Sequence, residues 1–113
     1  MARTQLTSDL PVIAKRLREA RKRAGVSQKN LGIQAGIDEF SASARVNQYE
    51  RGKHVPDFQT LEKFGSVLHV PTAFFYARDE GIAELLLLFS GLSRSQQNRA
   101  LSYVKKLGQK GVG

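Results

Sequence analysis

The sequence predicts an all-α protein. Three observations point there. Apolar residues recur at steps of three and four along most of the chain, no stretch alternates apolar and polar residues for long enough to form a strand, and helix-capping residues punctuate the pattern. A length of 113 residues with 41% hydrophobic content suits one compact domain and leaves little chain for a second independent core.

Residues 1–9 are expected to form a flexible polar arm. Ser8 or Asp9 can cap a first helix whose first turn holds Pro11, a position where the missing N–H has no partner to lose. Ile13, Leu17, Ala20 and Ala24 follow at steps of four, three and four, one buried face, before Gly25 ends the helix. Arg21 lies on that stripe, four residues after Leu17, so its guanidinium is expected to point inward and to require an acidic partner. Arg16, Lys22 and Arg23 are expected to point away. Ser27 is a good N-cap for a second helix from Gln28 to about Ala35, burying Leu31 and Ala35 and stopping at Gly36. Gly32 inside it costs about 1 kcal/mol relative to alanine, which predicts a close approach of another backbone there.

Ile37 to Ala42 are expected to form a long turn, followed by a third helix from about Ser43 to Arg51 with Val46 and Tyr49 inward and Gly52 closing it. Pro56 and Asp57 introduce a fourth helix in which Phe58, Leu61, Phe64 and Leu68 repeat at three, three and four. Pro71 and Thr72 open a short fifth helix whose Phe74, Phe75 and Tyr76 are expected to seal the core. An aromatic cluster could instead stack on bases, but after an apolar helix core packing is the simpler role. Asp79 to Gly81 form a hinge. Beyond it, Ile82 to Phe89 carry four successive leucines, so this helix is apolar on more than one side and needs two neighbours. Ser93 to Gln96 form a capping box for a last helix with the stripe Ala100, Leu101, Val104 and Leu107, ending before Gly108. The expected organisation is thus an arm (1–9), a helical domain (10–78) and a C-terminal helical hairpin (79–113).

Charge is unevenly placed. Residues 1–53 hold eleven Lys and Arg against five Asp and Glu, +6 of the chain's +8, and the remainder is nearly balanced. A basic half attracts polyanions, because each phosphate neutralised releases condensed counterions, although a solvated charged face has the same composition. The chain has no cysteine, and His54 and His69 have no Cys or His partner nearby, so neither a metal nor another cofactor is expected. The start of the chain lacks a signal-type apolar region, and the longest apolar run, Leu85 to Phe89, is far too short to span a bilayer. A soluble, cytoplasmic, nucleoid-associated protein is expected, with no membrane partner. No nucleophile–base spacing or glycine-rich phosphate loop occurs, and the paired carboxylates Asp38-Glu39 and Asp79-Glu80 fall in expected turns, so the chain is not expected to be an enzyme or to hold a small-molecule ligand.

Two short helices joined by a turn, the first opening with Ser27-Gln28, are the pieces of a helix-turn-helix. From Leu17 the chain reads L-R-E-A-R-K-R-A-G-V-S-Q-K-N-L, continues I-Q-A-G-I-D, then gives V-N-Q-Y-E-R-G-K and P-D-F-Q-T-L-E-K-F-G-S-V-L-H-V. Over about residues 10 to 77 it resembles the Xre-type helix-turn-helix family, which includes the lambdoid phage repressors. The resemblance implies a five-helix, lambda-repressor-like domain, dimeric as a rule, that binds a double-stranded DNA operator with two-fold symmetry. It places Gln28 at a DNA-contacting position, Ser43, Ala44 and Gln48 at groove-facing positions of the recognition helix with Arg45 and Asn47 beside them, and Arg51, the Gly52 N–H and Lys53 in a phosphate-contacting loop. It also pairs Arg21 with Glu50. The chemistry is suitable: Gln can pair with adenine, Arg with guanine, and an alanine methyl can touch that of thymine.

This chain has four more residues between Gly36 and Glu50 than is usual in the family. Four residues make about one helical turn, so either the turn bulges or the recognition helix starts one turn earlier, bringing Ser41 and Ala42 toward the groove. Leu85, Leu86, Leu88, Phe89, Leu101 and Val104 are expected to form a homodimer interface. The function expected is a dimeric repressor; the alternative is an antitoxin or bridging module whose C-terminal hairpin binds another protein.

Overall fold

A computed structural model describes the backbone of residues 2–112 and the side chains of residues 12–109, and among these residues there is no strand. The order is α1 (Ala2–Ala24), α2 (Gln28–Gln34), α3 (Glu39–Glu50), α4 (Phe58–Leu68), a 3₁₀ helix (Thr72–Tyr76), α5 (Glu80–Ser90) and α6 (Arg94–Val112). The all-α class and the helix-turn-helix arrangement are therefore as the sequence predicts.

Each cap that positions the interior is a local decision of the sequence. The Ser27 hydroxyl accepts from the Asn30 N–H at 3.0 Å, and the Asp57 carboxylate accepts from the Thr60 N–H at 2.8 Å, satisfying donors that a helix start leaves unpaired. At α6 the capping box is complete: the Gln96 N–H donates to Ser93 Oγ at 3.2 Å, and the Ser93 N–H donates to Gln96 Oε1 at 2.9 Å.

The core joins Ile13, Leu17 and Ala20 of α1 to Leu31 and Ala35, to Val46 and Tyr49 of α3, to Leu61, Phe64 and Leu68 of α4, and to Phe74 and Phe75. Tyr49 and Phe64 meet edge to face at 6.0 Å, as do Phe74 and Phe75. These are geometries in which positive ring edges face negative ring faces.

The structure corrects several expectations. α1 begins at Ala2, so its backbone runs through the segment expected as an arm, and Ser8 and Asp9 do not start it; side chains up to Pro11 lie outside those described. Ala24 is exposed, because the Gly25 and Val26 N–H groups donate to Lys22 and Arg21 carbonyls and fold the chain back there. Phe58 and Tyr76, at the ends of their elements, are about half exposed, at 55% and 48%. Asp79 is a helix cap rather than a hinge, accepting from the Ile82 N–H at 2.9 Å. α6 continues through Gly108 to Val112.

The largest correction is Arg16, which is 2% exposed rather than pointing away. Its Nε donates to the Ala77 carbonyl at 2.7 Å and Nη2 to that of Arg78 at 3.1 Å, while Nη1 reaches Glu19 and Glu80. The guanidinium also sits 5.7 Å from the centre of the Phe74 ring. Burial disfavours the charged guanidinium, but the Glu19 and Glu80 carboxylates outweigh it and the pKa is raised above its ordinary value. Arg16 thus ties α1 to the start of α5.

Candidate nucleic-acid interface

α3 starts one turn earlier than its expected beginning at Ser43. Asp38 is the N-cap, its carboxylate accepting from the Phe40 N–H at 3.0 Å, and Glu39 supplies a negative charge in the first turn, where the helix dipole favours it. The extra residues therefore form helix, and they pack. Ala42 is fully buried against Gly32 of α2, where an added Cβ would lie 2.6 Å from the Ala42 Cβ and 2.9 Å from its Cα. Gly32 is thus required by a close approach. Ala42 faces α2, not outward.

With Ala42, Val46, Tyr49 and Glu50 inward, helical periodicity assigns the remaining positions. Phe40, Ala44 and Gln48, at steps of four, form the outward line; Ser41 and Asn47 flank it, and Arg45 and Ser43 lie toward its two edges. Ser43, Ala44 and Arg45 are exposed, whereas Asn47 and Gln48 are half-buried. Sequence reasoning overlooked Phe40, which is 95% exposed. The signal was its spacing: four residues before Ala44, and two after an aspartate competent to cap.

Behind this line a polar network fixes α3. Arg21 Nε donates to Glu50 Oε2 at 2.5 Å and Nη2 to Oε1 at 3.0 Å, while Nη1 donates to the Val26 carbonyl at 3.0 Å. The Gln28 amide nitrogen donates to Asn47 Oδ1 at 3.2 Å and to Glu50 Oε1 at 3.1 Å. One carboxylate, with its side chain 3% exposed, thereby gathers α1, α2 and α3. Paired bidentately and hydrogen-bonded, it carries its negative charge under the outward face without being stranded.

Among the described residues, ion pairing on the helical domain engages Lys15, Arg16 and Arg21 of α1, not Lys29, Arg45, Arg51 or Lys53, which are exposed around α2 and α3. Arg51 is the C-cap of α3. Gly52, at φ +74°, continues the turn; its N–H, expected at a phosphate, donates instead to the Tyr49 carbonyl at 3.2 Å, and the Lys53 N–H closes on Gln48 at 2.9 Å. That loop is therefore built by its own hydrogen bonds and presents the Arg51 and Lys53 side chains.

Away from the core, Ile82, Leu85 and Leu88 of α5 and Leu101, Val104 and Leu107 of α6 are each about half exposed or more. Leu86 packs on the core, with Leu87, and Phe89 is half-buried. No helix among the described residues is long and apolar enough to cross a membrane, and none of their His, Asp and Glu residues cluster as metal ligands.

Residues 12–73 match the family described as a helix-turn-helix domain. The chain is 34% identical over 68 residues to the HTH-type transcriptional regulator ImmR of Bacillus subtilis (strain 168), a match covering 60% of this chain and 50% of ImmR. It thus spans about half the length of that curated relative. It is also similar to the crystal structure of the transcriptional regulator BswR, with a TM-score of 0.78 and 45% identity, over 82% of this chain and 92% of that one.

Proposed function

Because this chain belongs to the helix-turn-helix family, as an Xre-type regulator, we propose that it is a dimeric repressor that lays α3 in the major groove of a two-fold symmetric operator. The outward line of α3 carries this reading. It offers Ala44 and Gln48 on a helix held from behind by the Arg21–Glu50–Gln28–Asn47 network, with the exposed cations Lys29, Arg45, Arg51 and Lys53 around it. Gln48 is suited to adenine, Arg45 to guanine, Ser43 to either edge, and the Ala44 methyl to thymine. Arg51 and Lys53 fix the phosphates. Gln28 acts beside the groove by orienting Asn47.

Residues 10–78 form the DNA-binding domain in this account and 79–113 the dimerisation element, through Leu85, Leu88, Leu101 and Val104. The protein works in the cytoplasm, on the nucleoid. Selection of duplexes from a randomised pool by the full chain tests the reading. An inverted repeat is expected, its half-sites one helical turn, about 34 Å, apart. Enrichment of no sequence would refute DNA recognition, and a single unsymmetric site would refute the dimer and favour a C-terminal hairpin that binds another protein.

A further inference from the structure

We propose that Phe40 reads DNA: its ring packs on the 5-methyl group of a thymine, so that the extra turn of α3 adds one base to each half-site. The inference rests on the reading that α3 enters the major groove. A lone exposed phenylalanine elsewhere on a surface would mean little. Here its place is specific.

Phe40 is the second residue of α3, and in a helix-turn-helix the first turns of the recognition helix are the part that meets base edges. The turn that carries it is rigid, since the Asp38 carboxylate holds the Phe40 N–H and Ala42 is locked against Gly32. With Ala42 inward, a residue two positions earlier is about 200° away around the helix and must face out. It does so on the line of Ala44 and Gln48, at four-residue steps, so one groove-facing stripe now has three members. Among the described residues nothing covers the ring, which is 95% exposed.

Chemistry selects the base. A benzyl side chain offers no hydrogen bond to a phosphate or to the polar edges of guanine, cytosine or adenine, and the apolar group that the major groove presents is the thymine methyl. The neighbouring acidic groups do not oppose this. Asp38 is engaged as a cap, and Glu39 lies on the edge of α3 shared with Val46 and Glu50, away from the Phe40 line.

The test uses the full chain and its Phe40→Ala and Phe40→Leu variants. Each selects duplexes from a randomised pool, and every thymine in the selected site is then replaced in turn by deoxyuridine, which lacks only the methyl. The wild type should lose about fourfold in affinity per half-site at one thymine, the factor that burial of a single methyl carries. Phe40→Ala should be indifferent to that replacement while melting at the wild-type temperature, and Phe40→Leu should keep part of the preference. Equal deoxyuridine responses in wild type and Phe40→Ala would overturn the proposal while leaving DNA recognition intact. A change in sedimentation with an unchanged selected site would also overturn it, by assigning the ring to a protein contact. Failure of the wild type to enrich any sequence would remove the groove reading itself, and Phe40's role with it.

Discussion

Arg16 and Arg21 leave α1 on opposite edges of the same apolar stripe, and each ends on a different part of the molecule. Arg21 completes the buried Glu50 carboxylate behind α3, whereas Arg16 caps the Ala77 and Arg78 carbonyls before α5. The sequence made Arg21 legible because it follows Leu17 by four. Arg16 was equally accessible to the same reasoning: on a helical wheel it lies roughly 60° to the other side of the Ile13–Leu17–Ala20 midline. What the sequence lacked was the acceptors, since two backbone carbonyls some sixty residues away leave no mark in side-chain chemistry. Removing Arg21 strands a carboxylate that is nearly inaccessible, so Arg21→Ala should cost about 3 kcal/mol or more, whereas Glu50→Ala should cost less because Arg21 is already 14% exposed and can turn to water. Denaturant melts of both singles and the double variant check this; additive losses would contradict the coupling. Reading and positioning also separate at single residues. Gln48→Ala should cost about 1 to 3 kcal/mol at one base pair of each half-site, and Lys53→Ala should weaken all duplexes nearly equally. Uniform loss from Gln48→Ala, measured on a panel of operator variants, would mean that the outward line of α3 is wrongly drawn.

Acid pairs misled twice at the level of elements, and for one reason. Asp38-Glu39 and Asp79-Glu80 look like turn residues in a sequence, yet in each an aspartate caps and a glutamate occupies the first turn. Asx side chains favour turns and N-caps by the same local hydrogen bond, so composition alone cannot say whether a helix follows. The four-residue excess before Glu50 was visible as one helical turn, but which side of it faced outward was decided only by the Ala42–Gly32 contact. The caps at Ser27, Asp57 and Ser93, by contrast, were legible because an amphipathic stripe follows each at once. Glu80 also joins elements, reaching Lys15 and Arg16 of α1 from the start of α5. The Lys15 ammonium, and then the Arg16 guanidinium, hold its carboxyl below the usual carboxylate range. A depressed carboxylate contributes stability that is present above its unfolded pKa, about 4.3, and is lost as pH falls through the lowered folded value. Melting temperatures of wild type and Glu80→Gln should therefore differ between pH 6 and 7 and converge in acid below about pH 4. A difference independent of pH would show that Glu80 stabilises by packing alone.

Taken whole, the chain is more extended than a domain of its size. Its radius of gyration is 16.5 Å, against about 13 Å for a compact chain of this length, and its long axis is 56 Å. The α5–α6 hairpin leaves Ile82, Leu85, Leu88, Leu101, Val104 and Leu107 in water, and the core that covers Leu86 and Leu87 does not reach them. The leucine run made the need for two neighbours legible, while the division of its members between core and outer face required the packed structure. If a second copy covers the outer face, a Leu88→Glu chain should sediment as a monomer and lose about a hundredfold or more in affinity for the full operator, because the two half-sites are no longer bound as one unit. A dimeric Leu88→Glu chain would place the interface elsewhere. The central claim, that the basic helical domain binds duplex DNA through its phosphates and reads it with α3, is tested most directly by one titration series. The affinity of the full chain for its selected operator and for a scrambled duplex is measured from low to high salt. Both plots of log affinity against log salt should fall steeply, by about 0.9 per phosphate contacted, with the operator bound more tightly throughout. Flat plots, or identical binding of the two duplexes, would contradict the account.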